Sequence, residues 1–376
     1  MAKQFKQSSV PVSISEVNTS RQDAKGWGNN PISFFTHLAL VVSGIIDTTR
    51  YNIQHSFFTG QMPRKEPIMA NKDFVALADQ LQEILNANGH EVNVRYHKTW
   101  KNNVELDSFE IRKADDNVAP NIYFSNDDNI QEIAERTMRA LERVPEIDVT
   151  KLIDPEYILH NAFPKMYSYT AENVHAFNEQ GVSFYPIVAT MHSIIDEANF
   201  YDGAMVTVAV EVEKVNDGIG SFLLTDKHLA HAGLRFDQVY AHAIRNMENV
   251  YHIQSMKEIM REMLSAPWED MGIDLDDLIP DDGPQMYVLT NSRKFYGASM
   301  ILSSKSLKKA EDTLETGEYY IIPSSVHEVI LVPDTGKMDP WELKQMVKDV
   351  NANQVAPNER LFDGVLHYSH GTIERI

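Results

Sequence analysis

The chain has 376 residues, enough for two or three domains at roughly 150 residues each, and 43% of them are apolar, so a hydrophobic core is attainable. Lys+Arg 34 against Asp+Glu 54 leaves a formal net charge of −20. That balance opposes attraction to phosphate backbones and anionic lipid, and argues against nucleic-acid and membrane partners. The absence of cysteine excludes disulfide scaffolds, thiolate zinc sites and a cysteine nucleophile, and fits a cytoplasmic protein.

Residues 1–70 read as an N-terminal arm followed by an apolar segment. The first 30 are rich in Gln, Ser, Asn and Lys without a sustained period, a composition that buries too little apolar surface to offset ordering entropy. The run ISFFTHLALVVSGII (Ile32 to Ile46) is shorter than the roughly 20 residues a membrane span needs, and is expected to pack on the body of the protein. Phe5, Trp27, Phe34 and Phe35 are the candidate anchors for a protein partner or a second copy of the chain.

Residues 71–147 read as helix, three strands, helix. Phe74, Leu77, Leu81, Ile84 and Leu85 recur at helical spacing, and Asn88-Gly89 stops that helix. Glu91 to His97 alternates as a strand, Lys101-Asn102-Asn103 is a turn signal, and Val104 to Ile111 completes a hairpin. A short strand over Asn121 to Phe124 precedes a helix expected to be capped by Asp128, with Gln131 at the box position.

Residues 148–268 form a mixed middle segment. Strands are expected over Tyr185 to Ile195, Ala204 to Val212 and Ser221 to Leu224, with helices opening at Asp226 and Phe236 and an amphipathic stretch from Met256. Gly218-Ile219-Gly220-Ser221 lacks the third glycine and the Lys-Ser/Thr of a phosphate loop, and reads as a turn between strands. EDMGIDLDDLIPDDG (residues 269–283) fails the ligand spacing of a calcium loop and reads as an acidic linker.

Residues 284–376 read as a C-terminal α+β domain. Strands are expected at Met286 to Thr290, Ala298 to Leu302, Tyr319 to Ile322 and Val326 to Val332, with a helix ended by Gly317 between the second and third. Asp339-Pro340-Trp341-Glu342 is a strong helix start, followed by the stripe Leu343, Met346, Val347 and Val350. A hairpin around His370-Gly371 closes the chain. The fold class expected from all this is α+β: mixed, mostly antiparallel sheets with flanking helices, plus the N-terminal extension.

Four segments carry a resemblance: KNNVELDSFEIR (Lys101 to Arg112), MYVLTNSRKFYGASMIL (Met286 to Leu302), YYIIPSSVHEVILVPD (Tyr319 to Asp334) and VNANQVAPNERLFDGVLHY (Val350 to Tyr368). They resemble a family of bacterial proteins known only as a domain of unknown function, found in anaerobic genomes rich in mobile elements. The resemblance spans roughly residues 72–376 and implies a shared α+β fold and a phage or mobile-element origin. It implies no activity and no catalytic residues, and residues 1–70 depart from it.

Ser324, Ser325, His327 and Glu328 invite a hydrolase reading, with Ser325, His327 and Glu328 as candidates. No G-x-S-x-G elbow is near, and a strand would send His327 and Glu328 to opposite faces, so partners from elsewhere would be needed. His228, His231 and His242 form the densest histidine cluster, a candidate metal set lacking a carboxylate at a convincing spacing. No cofactor motif is present. The favoured reading is a non-catalytic binding or assembly protein that meets a partner, or itself, through the N-terminal arm. The alternative is a hydrolase using His327 and Glu328.

Overall fold

The computed structural model describes residues 73–113, 119–125, 128–142, 150–187, 203–215, 218–259, 261 and 285–376. The arm with Phe5 and Trp27, the apolar run with Phe34 and Phe35, and the acidic stretch 269–283 lie outside these residues. The described chain is α+β, with three antiparallel sheets and flanking helices.

In the first sheet, helix α1 (Phe74–Ala87) starts at Asp73, whose carboxylate accepts from the Val75 and Ala76 amides. Strands β1 (Val92–Lys101), β2 (Val104–Lys113) and β3 (Asn121–Tyr123) follow, then helix α2 (Ile130–Leu141). Leu81 and Leu85 from α1, Phe109 and Ile111 from β2, and Ile133 and Leu141 from α2 close one core. The cap of α2 is Asn129 and not Asp128: Asn129 sits in extended backbone and its side chain accepts from the Gln131 and Glu132 amides. Asp128 instead takes the Ser125 amide and Arg136. The β1–β2 turn is Asn102-Asn103, with Asn103 at φ 65°, a left-handed conformation that asparagine tolerates.

The second sheet is built on a long central strand, β6 (Ala204–Val215). Strand β4 (Ala162–Ser168) pairs along one edge, while β5 (Tyr185–Ile187) and β7 (Gly218–Leu223) share the other. Helices α3 (Pro155–Asn161), α4 (Ala171–Gln180), α5 (Asp226–Ala232) and α6 (Phe236–Met247) surround it. Gly218 to Ser221 is therefore strand and not a turn. It continues the ladder beside β6 past a register irregularity between Val212 and Val215, where glycine fits the local bend.

The third sheet has the order β13-β12-β10-β11-β9-β8. It comprises β8 (Tyr251–Ser255), β9 (Tyr287–Asn291), β10 (Glu318–Pro323), β11 (Val329–Pro333), β12 (Leu366–Ser369) and β13 (Thr372–Arg375), with helices α7 (Ser304–Leu314) and α8 (Pro340–Asn353). Its edge strand β8 comes from before the acidic stretch, so 269–283 does not separate one sheet from the next. Asp339 caps α8 by accepting from the Trp341 amide at 2.8 Å. Leu343 and Val347 are buried against Tyr320, Ile322, Ile330 and Val332, with Met346 partly buried beside them. The other sheet face packs Leu289, Tyr319, Ile321 and Leu331 against Met166, Ala204 and Val206, so the second and third sheets share a core.

Three expectations for this part are corrected. Residues 297–302 form a 3-10 helix and not a strand, because Lys294 and Tyr296 both take φ 52° and turn the chain. Glu315, at φ 55°, terminates α7 in place of Gly317. Finally, β11 begins at Val329, so His327 and Glu328 stand in the loop before it.

Candidate functional site

Strand β4 reads AFPKMYS, an apolar run interrupted by a lysine. Lys165 pairs with Thr207 and Tyr167 with Met205, so their side chains share one face of the second sheet. Lys165 is only 6% exposed, and its Nζ donates to the Ser221 Oγ at 3.0 Å. The same amine lies 4.1 Å from the ring centre of Tyr296, with Phe163 and Phe295 at 5.5 and 5.6 Å. A second amine arrives from the end of β1, where Lys101 Nζ sits 3.9 Å above the ring of Tyr123.

Burial penalises the charged form of both amines. Desolvation, followed by repulsion from Lys101, pushes Lys165 down to about 7. Desolvation alone pushes Lys101 down to about 8. Among the described residues no carboxylate pairs with either. At neutral pH Lys101 is therefore mostly charged and Lys165 is divided between amine and ammonium. Beside Lys165, the rings of Tyr167 and Tyr296 lie 6.0 Å apart, centre to centre. Burial raises Tyr167 well above the ordinary phenol range and raises Tyr296 to about 12, so both stay protonated.

Tyr296 is held in place by its loop. Asn291 donates from Nδ2 to the Phe295 carbonyl, while its Oδ1 accepts from the Arg293 and Phe295 amides. A Cβ on Gly297 would come within 2.6 Å of the Asn291 nitrogen and the His327 carbonyl oxygen, so only glycine lets this loop lie on the neighbouring backbone. The left-handed φ of Tyr296 is unusual for a bulky residue and is fixed by these contacts. The Tyr296 amide donates to His327 Nδ1 at 3.2 Å. A neutral His327 ring therefore carries its proton on Nε2, which lies 3.8 Å from Glu359 Oε1. Phe295 and Tyr296 both lie 5.4 Å from the ring, centre to centre.

Asparagines bolt the β1–β2 turn onto this arrangement. Asn102 Nδ2 donates to the Arg360 carbonyl at 2.7 Å, and its Oδ1 accepts from the Ser168 amide. Asn173, fully buried on α4, accepts at Oδ1 from Trp100 Nε1 and the Asn103 amide. Its Nδ2 reaches Asn102, Asn103 and the Ser168 carbonyl. The Val326 amide donates to the Glu359 carbonyl at 2.8 Å and keeps Glu359 beside His327. All four segments singled out for their resemblance thus meet here, contributing Lys101, Tyr296, His327 and Glu359.

Of the candidates Ser325, His327 and Glu328, the serine and the glutamate meet each other, while the imidazole does not join them. The Ser324 and Ser325 hydroxyls donate to Glu328 Oε1 at 3.2 and 3.0 Å, and Ser325 Oγ accepts from the His327 amide. The imidazole of His327 is directed instead to the Tyr296 backbone and Glu359. The histidine cluster is also dispersed. His228 is buried with Nδ1 engaged by Thr225, His231 is exposed with its Nδ1 on the Lys227 carbonyl, and His242 is half-buried on α6. Among the described residues no group of three or more His, Asp or Glu is placed to hold a metal ion.

Residues 195–370 match the model of a family of unknown function, DUF5688. The matched stretch includes Tyr296, His327 and Glu359, while Lys101 and Lys165 precede it. No curated protein and no solved structure matches the chain. Among the described residues no helix is long and apolar enough to cross a membrane.

Sequence reasoning passed over Lys101, Lys165, Tyr167, Tyr296 and Glu359. One signal was available: a lysine between Phe163 and Tyr167 in an otherwise apolar strand violates the expected alternation. The others come from loops whose meeting depends on tertiary packing.

Proposed function

We propose that the protein binds a small anionic ligand at the junction of the β1–β2 turn, strand β4 and the loops around Tyr296, His327 and Glu359. The observation that carries this reading is a pair of desolvated lysines, Lys101 and Lys165, with no pairing carboxylate among the described residues. An unpaired buried ammonium is held at considerable expense, and an arriving anion would supply the missing countercharge. Lys101 and Tyr123 are half-buried and so form the open side of the site, with Lys165 deeper inside.

Thermal denaturation at pH 6.5 with and without phosphate or pyruvate tests the reading. A rise in melting temperature that exceeds the chloride control, and is lost in Lys101→Met, supports it. Equal responses from the wild type and Lys101→Met refute it.

The same binding role extends to the first 70 residues, where Phe5, Trp27, Phe34 and Phe35 are assigned to contact with a protein partner or a second copy. Pull-down with full-length and arm-deleted protein tests that part. A hydrolase based on Ser325, His327 and Glu328 is the weaker reading, because the serine hydroxyls are engaged by Glu328 while the imidazole points elsewhere.

A further inference from the structure

The two lysines occupy different surroundings, and that difference points to more than charge capture. Lys165 is enclosed by the rings of Phe163, Phe295 and Tyr296, and among the described residues its one hydrogen-bond partner is a neutral hydroxyl, Ser221 Oγ. Lys101 has a single aromatic face against it among the described residues, and stays half-buried. We infer that Lys165 is a nucleophilic amine that forms an imine with the carbonyl of a small 2-oxo acid, whose carboxylate is held by Lys101. This assignment rests on the anion-binding reading above and adds the class of ligand and a covalent step.

In that step the Lys165 Nζ lone pair attacks the carbonyl carbon, forming a C–N bond and opening the carbonyl π bond onto oxygen. Two protons leave nitrogen overall and the oxygen departs as water, so amine and ketone give imine and water with no change of oxidation state. A lysine can do this only as the neutral amine, which its burial favours.

His327 and Glu359 lie beyond Tyr296, Tyr123 lies under Lys101, and Glu211, opposite Ser221 on β6, is paired with Arg293. None of them forms an ion pair that would hold Lys165 as an ammonium.

The test treats the full-length protein with pyruvate and cyanoborohydride and locates the reduced adduct by peptide mass mapping, alongside calorimetry with pyruvate and with lactate. Lactate carries the same carboxylate without the ketone. The inference expects one adduct on Lys165, slowed by excess lactate, with a rate that rises through about pH 7. Lys165→Met should abolish the adduct. Mapping of the wild type decides the matter even if that variant fails to fold. Adducts confined to exposed lysines, while pyruvate and lactate bind alike and Lys101→Met weakens both, would overturn the imine and leave the anion site standing. Failure of both acids to bind, with no adduct at Lys165, would overturn both.

Discussion

Replacing Lys165 with methionine should change how stability depends on pH, in a direction fixed by the structure. The folded amine titrates at about 7 against an ordinary 10.5, so between those values the unfolded chain binds more protons than the folded one. Stability therefore climbs with pH across that window. The penalty attached to this one residue is about 4 kcal/mol at pH 7 and falls to about 2 kcal/mol at pH 9. Lys101 adds a smaller slope of the same sign, centred higher. The buried tyrosines oppose the trend only above their ordinary range near 10, which leaves pH 7 to 9 clear. Methionine fills a similar volume without the charge and gives up the Ser221 hydrogen bond and the contact with the Tyr296 ring, together about 2 kcal/mol. Lys165→Met should thus be more stable than wild type at pH 7 by about 2 kcal/mol, with the advantage mostly gone by pH 9. Urea unfolding of both proteins at pH 7, 8 and 9 measures this. Parallel pH curves would show that Lys165 stays charged and compensated, and the account of the site would fail with them.

Three other variants probe the supports of the site. Asn173→Ala removes an acceptor from Trp100 Nε1 and the Asn103 amide in a fully buried position, and should destabilise by about 2–4 kcal/mol in the same assay. Gly297→Ala drives a methyl into the Asn291 and His327 backbone and should destabilise by more than about 2 kcal/mol; a wild-type melting curve would contradict the packing described. Glu315→Gly relieves a left-handed residue at the end of α7 and should stabilise by about 0.5–1 kcal/mol, unlike Glu315→Ala, which keeps the strained conformation.

Local chemistry made much of the fold legible in advance. The apolar stripe of α1, the Asn-Asn hairpin turn, the start of α8 at Asp339 and the closing hairpin at His370-Gly371 each depend on neighbours a few residues away. What failed was set by distant contacts. Residues 298–302 have strand-like composition, yet the φ of Tyr296 and the seat of Gly297 against Thr290 force a 3-10 turn. Strand β4 was missed because Lys165 breaks the alternation a reader looks for, and the buried Asn173 likewise interrupts the apolar face of α4; both are buried for tertiary reasons. The site was illegible for a related reason. His327 was visible, but its partner Glu359 is 32 residues further along and is brought back by the Val326 amide.

The core shared by Met166, Ala204 and Val206 with Leu289, Ile321 and Leu366 has a consequence for the newborn chain. A ribosome adding about 5–20 residues per second needs roughly 8–32 seconds to travel from Val206 to Leu366. For the part of that interval after the second sheet has left the exit tunnel, one of its apolar faces is uncovered, and β8, once made, waits with a bare edge for β9. Premature termination anywhere before Leu366 would leave that state permanent. Truncated products of this chain are accordingly substrates for chaperones and proteases, and a soluble recombinant fragment has to retain the chain from β4 through β12.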